Sequence, residues 1–150
     1  MVRKAVLNDA ESIYSLVEYF AKKGGMLHRP LTEIYDSLRD FFVYEDGDRV
    51  VGACALHISG PEMCEIRSLA VRENCRGKGI GRRLVTACLD EARSMGLKSV
   101  FALTYQVDFF HRLGFRFIKK ETLPNKIWVD CVKCVKFPNC DENAVIVDLQ

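Results

Sequence analysis

The chain has 150 residues, 49% hydrophobic and 28% charged, with a formal net charge of +2. That length fits one domain with a real core, so residues 1–150 are read as a single domain. So small a charge excess gives no argument for a nucleic-acid or anionic-membrane partner. Met1-Val2-Arg3-Lys4 has no long apolar run behind it, so neither a signal peptide nor a membrane span is expected. Seven cysteines without an export signal point to reduced thiols in the cytoplasm. No internal repeat, low-complexity tract or linker interrupts the chain.

Residues 2–6 read as a short strand. Asn8 or Asp9 can cap a helix whose inner face carries Ile13, Leu16, Val17 and Phe20, and Lys22-Lys23-Gly24-Gly25 ends it. Pro30 forbids helix at Arg29, and a second helix is predicted over residues 31–38. Residues 41–45 and 49–58 read as strands, and Asp46-Gly47-Asp48 between them is a strong hairpin signal. His57, late in the second of these, reads as a packed or hydrogen-bonded side chain rather than a catalytic one. Ser59-Gly60-Pro61 turns the chain toward the next strand.

That strand, residues 65–71, is the centre of the argument. Alternation places Glu65 and Arg67 on one face if no bulge intervenes. Glu65 is the only acidic residue within it. A polar turn leads to Arg76-Gly77-Lys78-Gly79-Ile80-Gly81 and then to a helix. Ile80, Leu84, Val85, Cys88, Leu89 and Ala92 recur at helical spacing, and Gly96 follows as a C-terminal cap. A strand feeding a glycine-rich loop that opens a helix is a device for holding phosphates. Arg76, Lys78, Arg82 and Arg83 add positive charge around it. The loop is not a Walker A, because no Gly-Lys-Ser/Thr closes it. It also lacks the dinucleotide spacing and the downstream acidic residue. Residues 98–104 form a further apolar strand, residues 105–115 a short helix turning into a strand, and residues 144–149 a closing strand.

The pattern Arg-x-x-Gly-x-Gly at Arg76–Gly81, preceded by Leu69-Ala70-Val71 and followed by Arg112-Leu113-Gly114-Phe115, resembles the GNAT superfamily of acyl-CoA-dependent N-acetyltransferases. The resemblance implies an α/β (α+β) GNAT fold. Such a fold has a mixed, mostly antiparallel sheet of six to seven strands, splayed at its middle and flanked by about four helices. It implies acetyl-CoA as cosubstrate, with its pyrophosphate on Arg76, Gly77, Lys78, Gly79, Ile80 and Gly81. It also implies a strand bulge that turns backbone N–H groups of Leu69, Ala70 and Val71 toward the thioester and pantetheine. Many members place tyrosine, the thiolate-protonating acid, where this chain has Phe110. Phe110 cannot donate, so it is expected only to line the cofactor. Tyr105 is the nearest substitute acid. Alternatively no acid is needed, since a thiol pKa near 8.5 makes thiolate a tolerable leaving group.

Acetyl transfer to an amine needs a group that removes a proton from the arriving ammonium, and an oxyanion needs donors. Glu65 is the candidate general base; an ion pair with Arg67 that merely satisfies both charges is the alternative. Gly25-x-Leu27-x-Arg29, residues 65–84, Phe101-Ala102-Leu103-Thr104 and Leu123-Pro124-x-Lys126 also resemble the acetyltransferase domain of N-acetylglutamate synthase. Short bacterial amino-acid N-acetyltransferases share that resemblance. It implies transfer to the α-amino group of a small acidic amino acid, L-glutamate above all, as the first step of arginine biosynthesis. Arg29 would grip a substrate carboxylate with Leu27 beside it, and Arg67 and Lys126 would complete the acceptor site. The connection over Arg29 would cover the acceptor.

Rival acceptors are a protein N-terminus, a polyamine or an antibiotic. Arg29 and Lys126 would repel polycations. A CoA-binding regulatory module without turnover is the non-enzyme rival. Cys131-x-x-Cys134 and Cys140 suggest a metal knuckle, but structural zinc wants four ligands. Reduced, buried or redox-active thiols are the other readings, so no metal is assigned. The sequence leaves the oligomeric state open, and a homodimer is admissible.

Overall fold

The computed structural model describes residues 1–123 and 142–149. Its strands are β1 (Val2–Lys4), β2 (Phe41–Asp46), β3 (Arg49–Ile58), β4 (Met63–Val71), β5 (Ser99–Thr104), β6 (Arg116–Ile118) and β7 (Asn143–Asp148). The helices are α1 (Ala10–Lys22), α2 (Leu31–Asp36), α3 (Ile80–Ser94) and α4 (Val107–Arg112). The seven strands make one sheet in the order β1-β2-β3-β4-β5-β7-β6. Every neighbouring pair is antiparallel except β4 and β5, which run parallel. This is the GNAT fold. No helix among the described residues is long and apolar enough to cross a membrane.

The β2–β3 hairpin forms where the Asp-Gly signal sits. Asp46 pairs with Arg49, and Gly47 takes a φ of 67° between them. Strand alternation then sorts the apolar residues onto two faces. On one face Val51, Cys54, Leu56, Cys64 and Ile66 meet the Ile80, Leu84, Val85, Cys88, Leu89 and Ala92 stripe of α3. The approach is close: a Cβ on Gly52 would lie 3.1 Å from Ile80 Cγ2 and Leu84 Cδ1. On the other face Phe41, Val43, Ala53, Ala55 and Ala70 receive Ile13, Leu16, Val17 and Phe20 of α1 and Ile34 of α2. Small residues on that face let α1 sit low on the sheet.

Two local readings are corrected. Neither Asn8 nor Asp9 caps α1 with its side chain. Asp9 turns back instead, accepting the Val6 N–H at 2.8 Å and two bonds from Arg3 at 2.7 and 3.0 Å. The second helix stops at Asp36 rather than running to residue 38. Ser37 Oγ donates to the Glu33 carbonyl at 2.7 Å, and the chain tightens into a 3-10 turn at Leu38–Asp40. A serine that bonds back to the preceding turn competes with helix continuation.

The sheet is interrupted where the site lies. β4 and β5 pair only at Met63–Ser99, Cys64–Val100 and Glu65–Phe101. Beyond Glu65, β4 stays with β3 as far as the Val71–Gly52 pair, while β5 stays with β7 as far as Thr104–Asn143. The same strand carries a bulge. Ala53 pairs with Ala70 and Ala55 with Arg67, so Ser68 and Leu69 together oppose Cys54. Ser68 has a φ of 54°, and no other non-glycine residue among those described has a positive φ.

Candidate active site

Met63, Glu65 and Arg67 alternate onto the α1–α2 face of β4. Glu65 is 2% exposed, and Arg67 Nε donates to its Oε1 at 2.7 Å. The expected ion pair is therefore formed, at the place where the β4–β5 ladder ends. The bulge begins at Ser68, after Arg67, so Glu65 and Arg67 do share a face. It also lets consecutive residues, Arg67 and Ser68, line one cleft.

That cleft has a volume of about 620 Å³, within the range of small-molecule sites. Its polar wall includes Arg29, Glu33, Arg39, Asp40, His57 and Arg67, and its apolar wall Ile34, Leu38, Phe41 and Ala55. Arg29 is largely buried at the start of α2 and lies 3.7 Å from Glu33 Oε2. Arg29 and Arg67 thus line the same cleft, while buried Glu65 does not line it and is joined to it through Arg67. His57 Nδ1 is 3.0 Å from Asp40 Oδ2. Leu27 is half-buried in the connection between α1 and α2 and does not line the cleft. Lys126 and the cysteines at 131, 134 and 140 lie outside the described residues.

On the other side of β4 the glycine-rich loop opens α3. Gly77 and Gly79 take φ values of 81° and 77°, a region costly to residues with a Cβ. Within α3 the Arg83 amide bonds back to the Gly79 carbonyl at 3.1 Å. The amides of the first turn before it are those a helix leaves without an intrahelical partner, at the positive end of its dipole. The loop is fastened to α1. Lys23 Nζ meets Glu73 Oε2 at 3.1 Å, Tyr19 Oη donates to Glu73, and the Arg76 guanidinium lies 5.3 Å from the Phe20 ring centroid. Gly81 is held close to Phe109, where an added Cβ would come within 3.3 Å of Cζ.

Tyr105 is 39% exposed just past the end of β5. Phe110 is 3% exposed and packs edge-on against Phe109 and Phe115. It is a core side chain in this structure. Burial pushes the Cys64 thiol up to about 12, and a hydrogen bond to Cys54 together with burial raises Cys88. Both are neutral thiols at neutral pH, unsuited to nucleophilic attack.

Arg39, Asp40 and Ser68 were not singled out by the sequence. Asp40 sits in a 3-10 turn that has no periodicity to read, and Ser68 faces the cleft only because of the bulge. The partnership of His57 with Glu65 across β3 and β4 was accessible in principle, since the hairpin fixes β3 and alternation fixes its faces.

Residues 7–115 match the acetyltransferase (GNAT) family. The chain belongs to that family. It is an acyltransferase, and acetyl-CoA is its cosubstrate. An uncharacterized N-acetyltransferase of Chlorobaculum tepidum is 43% identical over 148 residues, covering 99% of this chain and 96% of that protein. The amino-acid acetyltransferase of Mycobacterium tuberculosis is 38% identical over 118 residues, covering 77% of this chain and 67% of that protein. Longer amino-acid acetyltransferases, such as that of Neisseria meningitidis, are 29% identical, and the match spans only 29% of their length. A Mycobacterium tuberculosis protein solved with CoA superposes with a TM-score of 0.87 at 30% identity, covering 100% of this chain and 99% of that one. N-acetylglutamate synthase of Neisseria gonorrhoeae, solved with coenzyme A and N-acetyl-glutamate, gives a TM-score of 0.89 at 24% identity. That match covers 100% of this chain and 35% of the synthase, and the likeness is one of fold.

Proposed function

We propose that this GNAT enzyme acetylates the α-amino group of a small acidic amino acid, L-glutamate being the acceptor that fits best. The observation that carries the reading is the pair of guanidinium groups, Arg29 and Arg67, reaching one cleft above a buried carboxylate where the sheet opens. Two cations in a small-molecule cleft suit a dicarboxylate, because guanidinium and carboxylate pair through parallel hydrogen bonds. The similarity to the mycobacterial amino-acid acetyltransferase supports the same class of acceptor. The product would be N-acetylglutamate, formed by a single cytoplasmic domain as the first step of arginine biosynthesis.

In this reading the pyrophosphate of acetyl-CoA rests on the loop amides from Gly77 to Gly81, with Arg76 and Lys78 beside it. The pantetheine enters the split between β4 and β5, against the backbone of Leu69, Ala70 and Val71. Arg29 holds one carboxylate of the acceptor with Leu27 nearby, Lys126 supplies a further cation, and Arg67 both faces the acceptor and orients Glu65. Glu65 takes a proton from the ammonium through a water, since it is buried and does not itself line the cleft. The freed amine attacks the thioester carbonyl directly. Neutral Cys64 and Cys88 give no support to an acyl-enzyme. Backbone N–H groups at the bulge stabilise the oxyanion. Tyr105 at the rim of the split protonates the thiolate, while Phe110 supports the site from the core.

Release of CoA thiol, followed against a panel of amino acids, peptides and polyamines, tests this reading. Glutamate-dependent release is expected; release with another amine and none with glutamate would overturn the acceptor assignment.

A further inference from the structure

Acetylation of an amine at neutral pH has a proton balance that any mechanism must meet. The acceptor enters as R–NH3⁺ and leaves as R–NH–COCH3. The N–C bond forms, the C–S bond breaks, and the electron pair of that bond leaves on sulfur. Of the two protons lost by nitrogen, one ends on the CoA sulfur and the other must reach solvent. In the reading above, the second proton is first taken by Glu65, which is 2% exposed.

Among the described residues, the strand neighbours of Glu65 narrow where that proton can go next. Along its own strand, on the same face, stand Met63 and Arg67. A thioether is no base, and a guanidinium has no site to accept a proton. Across the parallel ladder its partner is Phe101. Across the antiparallel ladder its partner is His57. Directly opposed residues place their Cβ atoms about 5 Å apart, on the same face. His57 alone in this set can accept and release a proton.

His57 is also built for the task. Its Nδ1 is 3.0 Å from Asp40 Oδ2, and both side chains line the cleft. A carboxylate on Nδ1 selects the tautomer with its proton there and leaves Nε2 as the basic nitrogen. The side chain is 37% exposed, so it touches both the cleft and water. The charged groups that share its cleft or face it across the ladder, among the described residues, are Asp36, Arg39 and Asp40 before β2, Glu65 and Arg67 on β4, and Arg29 and Glu33 at α2.

We propose that His57, positioned by Asp40, is the proton outlet of the active site. The Glu65 carboxylic acid, formed when the acceptor amine is deprotonated, passes its proton through a water to His57 Nε2. The imidazolium hands it to solvent, and both groups return to their starting states. The proposal rests on Glu65 as the base of the acetylation reaction.

The test is steady-state acetylation of L-glutamate in dilute, weakly basic buffer by the wild type, His57→Ala and His57→Gln, with and without added imidazole. Removing the outlet should lower kcat on the order of tenfold, with little change in the Michaelis constant for glutamate. Imidazole should restore most of the loss in His57→Ala and leave the wild type unchanged. His57→Gln, which keeps a hydrogen-bonding group for Asp40, should fold normally and stay slow. Wild-type kcat in His57→Gln would overturn the proposal. So would a loss that tracks melting temperature and resists imidazole, which would make the pair a structural tie between the 3-10 turn and β3. A change confined to the Michaelis constant would make His57 a substrate contact instead. If the wild type acetylates no amine on glutamate's panel, the underlying function fails; if it is active and the His57 variants are too, only the outlet fails.

Discussion

Replacing Glu65 with glutamine keeps the shape of the side chain and an oxygen for Arg67, but removes the group that can take a proton. Turnover should fall on the order of a hundredfold or more while CoA still binds in a titration. Unchanged turnover would remove Glu65 as the base. Arg29→Ala should act differently, raising the Michaelis constant for the acceptor with a smaller effect on kcat. If only the constant for acetyl-CoA moves, Arg29 belongs to the other substrate. Asp9 gives a prediction independent of catalysis. The Arg3 guanidinium holds its carboxyl below the ordinary value of 3.8. A lowered folded value means that the stabilisation is whole above the ordinary value and is lost as pH falls through the lowered one. Asp9→Asn should therefore cost on the order of 1–2 kcal/mol at neutral pH. Its deficit against the wild type should shrink below about pH 4, where the carboxyl of the unfolded chain begins to protonate while the native one stays ionised to lower pH. A deficit that stays constant in acid denaturation curves would contradict the role given to the pair. None of this was visible at Asp9 in the sequence, where a residue before a helix reads first as its cap.

At the scale of elements, α3 and its glycine loop were legible because two independent signals agree there. The apolar stripe has helical period, and glycine stands at positions that take positive φ. Gly79→Ala should cost about 1 kcal/mol through its φ of 77°. It should also weaken CoA binding measured by calorimetry, because the cap sets the direction of the first amides. Full affinity in a destabilised variant would separate the loop's folding role from ligand binding. The end of α2 was less legible, since a single serine bond to the Glu33 carbonyl decides it. The bulge at Ser68 and Leu69 has no compositional mark at all. The family resemblance implied a bulge presenting Leu69, Ala70 and Val71, and the structure places it one residue earlier, because pairing register is a property of two strands and not of either one.

At the scale of the whole molecule, the sheet separates two apolar layers, and the proposed function puts the two substrates on different structural features. The α3 layer presents the loop proposed for the cofactor. The α1–α2 layer leaves the cleft that holds Arg29, Arg67 and His57. The order of elements and the hairpin were readable from period and turn chemistry. The convergence of Asp40, His57 and Arg67 on one cleft was not, because it depends on how a 3-10 turn packs against β3 inside the sheet. Identification of the acetylated product in a mixture of free amino acids and polyamines with acetyl-CoA tests the central claim most directly. The account predicts N-acetylglutamate as the main product by mass spectrometry; an acetylated neutral or cationic amine, with glutamate untouched, would contradict it.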